Sequence, residues 1–209
     1  MKPYYQDAAV TIYHGDCQEV LPLLSKADLV LTDPPYGIQA AKRGAHSSIR
    51  DSEAWPEAEW DNTRTAEALS LALQYSDHAA VWGGNYYADI LKPSAAWLVW
   101  MKPQAETGFS MADVELCWTS GQFAARLKRM PRRDGNAHPT QKPVALMAWT
   151  LGFFRDANTV LDPFMGSGTT LRAAKDMGRK AIGIDIEERY CEIAARRMAQ
   201  SVLFDGDSE

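Results

Sequence analysis

Short apolar runs alternate with stretches of helical spacing along most of the chain, and that alternation predicts an open α/β sheet. Val10 to Tyr13 reads as a first strand leading into Gly15-Asp16, and Leu29 to Thr32 as a second, with only a short helical stretch, Gln18 to Leu24, between them. Ala, Leu and Tyr recur at helical spacing from Thr65 to Tyr75, ahead of a strand from Ala79 to Trp82. Ala96 to Met101 and Val114 to Thr119 are aromatic and β-branched. A Gly-containing stretch separates them, so they predict an antiparallel pair rather than a βαβ unit. Pro143 opens a helix to Phe154, at a position where a missing N–H costs nothing. Strand Val160-Leu161, helix Thr169 to Met177, strand Ala181 to Ile184 and helix Glu187 to Gln200 complete the pattern. The expected fold is a doubly wound, mostly parallel sheet carrying one antiparallel hairpin.

Two stretches fall outside this pattern. Residues 38–60 are polar, with Gly44, Ser47 and Ser48, and are long for a loop in a compact domain, which predicts a functional lid or a disordered segment. Residues 121–137 are basic. Six basic residues (Arg126, Lys128, Arg129, Arg132, Arg133 and Lys142) stand between Gln122 and Lys142 against one acid, Asp134, although the whole chain carries −5. A basic strip on an acidic body suits a DNA face, and it suits a solvated loop equally well.

The length of 209 residues, 46% of them hydrophobic, fits one domain spanning 1–209 with a sizeable core. No apolar run approaches a membrane span, and Met1 to Asp7 is no signal peptide. Cys17, Cys117 and Cys191 form no CxxC pair, so they read as reduced packing thiols of a cytoplasmic protein, with no metal site.

The candidate chemistry sits at two strand ends. Asp33-Pro34-Pro35-Tyr36-Gly37 follows the apolar run Ala27 to Thr32, and Asp162-Pro163-Phe164-Met165-Gly166-Ser167-Gly168-Thr169-Thr170 follows Thr159 to Leu161. Both read as mouths of buried parallel strands, where open α/β sheets place ligands. An amino nitrogen on a heteroaromatic ring is a poor nucleophile because its lone pair is delocalised. Two hydrogen-bond acceptors, the Asp33 carboxylate and the Pro34 carbonyl, favour a pyramidal nitrogen, and Pro34-Pro35 stiffens the turn that holds them. Tyr36 can stack on a base taken out of the duplex. The same residues also make an ordinary strand-ending turn. In the second loop Gly166 and Gly168 allow close backbone approach, and Ser167 and Thr169 offer hydroxyls. A phosphate loop is the rival, and it lacks its lysine here. Asp185, at the end of its strand, is placed to hold ribose hydroxyls.

Together the two motifs resemble those of the amino-group DNA methyltransferases that use S-adenosylmethionine, and their order resembles the class called β. The resemblance spans most of the chain and implies a Rossmann-like methyltransferase fold in a small member of phage type, acting in a bacterium or an infected host. It implies that Asp33, Pro34, Pro35 and Tyr36 are catalytic, and that Asp162, Phe164, Gly166, Ser167, Gly168, Thr169 and Asp185 bind the cofactor. Gly15-Asp16-Cys17 resembles the segment that meets the cofactor's adenine, which adds Asp16 and Cys17. His138 to Pro143 resembles the segment before the cofactor-side helix, which adds Thr140, Gln141 and Lys142 at the methionine end. His138 alone reads as structural, and Trp82-Gly83-Gly84-Asn85-Tyr86 as base-pocket lining or packing.

The implied partner is double-stranded DNA, with a homodimer left open. Arg126, Lys128, Arg129, Arg132, Arg133, Lys42 and Arg43 are the DNA-binding candidates. Many relatives carry a substantial target-recognition region before the segment matching His138 to Pro143, whereas residues 121–137 amount to one loop, so a short or relaxed site is expected. Asp at the first catalytic position resembles the adenine-N6 members; cytosine N4 is the alternative. Cytosine-C5 chemistry is disfavoured because no Pro-Cys occurs. RNA or protein-glutamine methylation and non-catalytic DNA binding are the remaining rivals.

Overall fold

The computed structural model describes residues 1–37, 65–102, 112–131 and 141–200. Among these described residues nine strands form one sheet: β1 (Tyr5–Gln6), β2 (Val10–His14), β3 (Ala27–Thr32), β4 (Ser76–Trp82), β5 (Trp97–Met101), β6 (Val114–Thr119), β7 (Arg126–Arg129), β8 (Thr159–Asp162) and β9 (Lys180–Asp185). Their order is β1-β2-β9-β8-β3-β4-β6-β5-β7. The five from β2 to β4 are parallel, β6 pairs antiparallel with both β4 and β5, and β1 is antiparallel on β2. The doubly wound sheet with an antiparallel hairpin is therefore as expected.

Alternation along the central strands explains the two layers. Leu29 and Leu31 of β3 face one core cluster with Val10, Ile12, Ala80 and Trp82. Val30 faces the other with Val81, Leu161 and Ile184. A strand buried on both faces reads as a continuous apolar run, which is why β3 was legible. The helices α3 (Val144–Leu151), α4 (Thr169–Asp176) and α5 (Glu188–Ala199) cover the first face through Leu146, Leu171 and Ala194. The short α1 (Cys17–Val20) and α2 (Ala66–Ala72) cover the second through Val20 and Leu69.

Two elements depart from the expected map. The two-residue β1 was not foreseen. It is held by Asp7, whose carboxylate accepts from Ala9 N and Val10 N at 2.7 Å each and from Lys175 Nζ at 2.6 Å. Burial works to raise that carboxyl, but these donors outweigh it and hold it at about 2. The stretch 121–137 is not simply a loop: Arg126–Arg129 form β7, an edge strand parallel to β5 with Leu98 opposite Arg126. Met130 N closes the pairing on Met101 O at 3.1 Å, and Trp100 Nε1 donates to Met130 O at 2.8 Å. Backbone pairing, which side-chain polarity does not report, overrode the loop-like composition. The expected lid 38–60 and residues 132–137 lie outside the described residues.

The sheet reverses direction of winding between β3 and β8, which pair in register Leu29 to Val160 and Val30 to Leu161. The chain leaves β3 towards β4 and leaves β8 towards β9, so their carboxyl ends open the crevice where α/β sheets bind ligands. Gly168 caps α4 at φ +77°, and a Cβ there would lie 2.9 Å from Ala194 Cβ of α5. Gly178, at φ +71°, would meet nothing within 4 Å. Gly168→Ala should therefore cost about 2 kcal/mol or more, against about 1 kcal/mol for Gly178→Ala, which has the backbone strain alone. Equal urea midpoints for the two variants would refute the packing role of Gly168.

Candidate active site

At the mouth of β3, Lys142 and Tyr36 converge on Asp33, and Glu115 and Lys102 stand behind them. Lys142 Nζ donates to Asp33 Oδ2 at 2.6 Å and to the Tyr36 hydroxyl at 3.2 Å, and the Tyr36 hydroxyl donates to Asp33 Oδ1. Lys142 also pairs with Glu115 Oε2 at 3.0 Å, and Glu115 Oε1 pairs with Lys102 Nζ at 2.6 Å. Burial raises the Asp33 carboxyl above its ordinary value, with the Lys142 charge opposing. Burial, and then the Asp33 charge, push the Tyr36 phenol well above its ordinary value, so it stays protonated and serves as a donor. Burial also works to raise Glu115, but Lys142 and Lys102 outweigh it and hold it at about 2.

The turn around these groups is rigid for local reasons. Pro34 is buried, and the Tyr87 hydroxyl donates to the Pro35 carbonyl. The Tyr36 ring lies against Gly83, where a Cβ would fall 2.0 Å from the ring at a φ of +69°. Glycine is needed there because a side chain would occupy the ring's place. Tyr36 also stacks on Tyr86, with centroids 4.7 Å apart and planes 19° apart. The turn after β4 is thus part of this site.

Beside Asp33 lies a cavity of about 290 Å³, walled by the loops that follow β2, β3, β8 and β9. That volume is at the small end for a single-ligand pocket. Asp16, Cys17, Asp162, Phe164 and Gly166 line it, as do Ser167, Thr169, Asp185, Gln141 and Lys142. Asp16 caps α1 by accepting from Gln18 N at 2.8 Å. Burial pushes the Cys17 thiol up to about 12, which leaves it an inert wall. Asp162 accepts from Thr32 Oγ1 at 2.7 Å and from Phe164 N at 3.2 Å, tying β8 to β3. Its carboxyl is pushed up to about 6 by burial. Asp185 accepts from Gly166 N and from Glu187 N, each at 2.9 Å, and burial pushes it up to about 7. Gly166 stands at φ +50°, and a Cβ there would meet no atom within 4 Å, so its backbone faces the cavity directly.

At three places the structure shows contacts that the sequence did not announce. Gly168 does not line the cavity; its smallness serves the contact with Ala194. Lys142 lines the cavity, yet its ammonium is committed to Asp33, Glu115 and Tyr36. Ser167 Oγ donates to Gln141 Oε1 at 2.9 Å, and Arg197 of α5 donates to both, at 3.3 and 3.1 Å. Arg197, Glu115 and Lys102 escaped the sequence reading. Glu115, an acid inside an otherwise apolar strand, was the one visible signal; Arg197 resembles any solvated helix-end base. Thr140, Lys42, Arg43, Arg132 and Arg133 lie outside the described residues. Arg126, Lys128 and Arg129 are exposed on β7, and strand alternation puts Arg126 and Lys128 on one face and Arg129 on the other.

Among the described residues no group of His, Cys, Asp or Glu is placed to hold a metal ion, and no helix is long and apolar enough to cross a membrane.

Known proteins share this architecture. The structure superposes on PvuII DNA methyltransferase (cytosine-N4-specific) with a TM-score of 0.67 at 18% identity, covering 100% of this chain and 91% of that one. It superposes on the M1.HpyAVI–SAM complex with a TM-score of 0.61 at 21% identity, covering 91% and 100%. In sequence it is 26% identical to Type II methyltransferase M.ScaI of Streptomyces caespitosus over 97% of this chain and 86% of that one. It is 40% identical to Type II methyltransferase M2.DpnII of Streptococcus pneumoniae over 66% of this chain and 48% of that one. The N6/N4 methyltransferase family model, described as DNA methylase, matches residues 74–196, more than half of the chain and including β8, the glycine loop and β9. The chain belongs to the N6/N4 DNA methylase family.

Proposed function

We propose that this protein transfers a methyl group from S-adenosylmethionine to the N6 amino group of an adenine flipped out of double-stranded DNA, at a short or relaxed site. The observation that carries the reading is Asp33, held by Lys142 and Tyr36 at the strand mouth, directly beside the cavity that Gly166 and Asp185 frame. The donor set suits this cofactor. Gly166 leaves backbone room, Asp185 has lone pairs beyond its two backbone contacts for ribose hydroxyls, and Asp16 and Phe164 line the same space. The names of two solved relatives in this fold, the M1.HpyAVI–SAM complex and TTHA0409 with S-adenosyl-L-methionine, support that choice.

Bound in this cavity, with Gly166, Asp185, Asp16 and Phe164 to hold it, the cofactor would supply an electrophilic methyl group on a cationic sulfur. Asp33 and the Pro34 carbonyl accept the two amino hydrogens and point the lone pair at the cavity. The Tyr36–Tyr86 pair provides the aromatic surface on which the flipped base stacks. Residues 1–209 act as one methyltransferase unit, in which 38–60 and the strip 121–137 approach the DNA. Transfer of a labelled methyl to duplex DNA, then nuclease digestion and mass detection, should yield N6-methyladenine. N4-methylcytosine instead would overturn the choice of base, and no transfer would overturn the reading.

The β7 geometry sharpens the expectation for DNA contact. Arg126 and Lys128 share a face, so changing both to Ala should flatten the logarithmic salt dependence of DNA binding by about 1 to 2. Arg129→Ala alone should do less. Equal slopes in all variants would leave β7 a solvated edge.

A further inference from the structure

Behind Asp33 stands a row of alternating charges that an acid and a base alone would not need. It runs from Lys102 at the end of β5, through Glu115 on β6 and Lys142 before α3, to Asp33 after β3. The successive contacts are 2.6, 3.0 and 2.6 Å. The two lysine side chains are 5% and 4% exposed. An ammonium has three hydrogens to donate. Those of Lys142 have three acceptors: Asp33, Glu115 and the Tyr36 hydroxyl.

Two carboxylates competing for one ammonium changes what Asp33 can do. Facing Lys142 alone, Asp33 would be a closed ion pair with its negative charge quenched, and a weak acceptor for a neutral amino group. With Glu115 drawing on the same ammonium, Asp33 keeps more negative charge for the amino hydrogens. Lys102 keeps the row neutral as a whole, so the competing acid remains ionised. Building on the amino-methyltransferase reading, we infer that Glu115, backed by Lys102, is a positioning residue of the reaction. It shares Lys142 with Asp33 and leaves the catalytic carboxylate free to accept from the target amino group. The titratable groups bearing on Asp33 among the described residues are Lys142, Glu115 and Tyr36, with Asp162 and Cys117 also coupled to it; Lys102 and Lys142 bear on Glu115.

The charges predict opposite effects for the two supporting residues. Glu115→Gln removes a negative neighbour, so Asp33 should ionise at lower pH. Lys102→Gln removes a positive one and frees Glu115 to pull harder on Lys142, so Asp33 should ionise at higher pH. Infrared difference titration of the full-length protein, with the Asp33 band identified by its loss in Asp33→Asn, reads this without any ligand. The midpoint should fall by about one pH unit in Glu115→Gln and rise by a similar amount in Lys102→Gln. Glu115→Asp, which keeps the charge, should restore most of the shift. The acid limb of kcat/KM for methyl transfer should move in the same directions, with kcat about tenfold lower in Glu115→Gln. A purely structural role would leave both midpoints in place or move them the same way, and either result would overturn the inference. An unaltered protein that transfers no methyl would overturn the underlying reading instead, while the titration still judges the charge row.

Discussion

Asp33→Ala should lower methyl transfer to DNA by at least about a hundredfold, equivalent to about 3 kcal/mol of lost transition-state stabilisation. Affinity for S-adenosylhomocysteine should change little. The separation follows from the geometry, because Asp33 holds Lys142 and Tyr36, whereas the cavity floor is held by Asp162 and Asp185 through backbone and hydroxyl contacts of their own. The variant should also fold, since Lys142 keeps Glu115 as a counter-charge and is not left buried alone. Single-turnover transfer of labelled methyl, with calorimetry on the same preparation, checks both halves. Near-normal turnover would remove Asp33 from the chemistry, and a parallel loss of cofactor affinity would assign it to binding.

Gly166→Val should abolish cofactor binding while leaving the fold in place. Valine at φ +50° is strained by about 1 to 2 kcal/mol, and its Cβ would meet no protein atom within 4 Å at a position that lines the cavity. The displaced volume is the ligand's, so affinity for S-adenosylhomocysteine should fall at least about a hundredfold, or about 3 kcal/mol. Gly168, two residues on, offers the contrast: its substitution presses on Ala194 and acts on stability. Unchanged affinity in folded Gly166→Val would mean that the ligand lies elsewhere.

The parallel core was legible because its signal is local. A doubly buried strand such as β3 is a continuous apolar run, and a Pro or Gly-rich turn at its end marks the mouth. For the same reason Asp33 and Asp162 each read as a strand mouth from sequence, whereas that β3 and β8 lie side by side is shown by the structure. The order of the two motifs, the glycine loop and Asp185 needed no contact map to be noticed.

What composition misjudged were features whose cause lies in other elements. β7 is a strand because β5 offers it a free edge, and nothing in Arg126-Leu127-Lys128-Arg129 announces a partner. Gly168 is small because Ala194 stands against it, a fact of helix packing invisible in the loop itself. Arg197 and Lys102 look like solvated surface bases until α5 and β5 bring them to the site.

The sequence by itself determined the layered sheet, the two strand mouths and the family chemistry, because apolar periodicity and turn residues act over a few neighbours. Only the tertiary structure decided how the charges are shared. Lys142 is 109 residues from Asp33 and 27 from Glu115, and its ammonium is divided between them because burial forces each charge to find a counter-charge wherever the fold brings one.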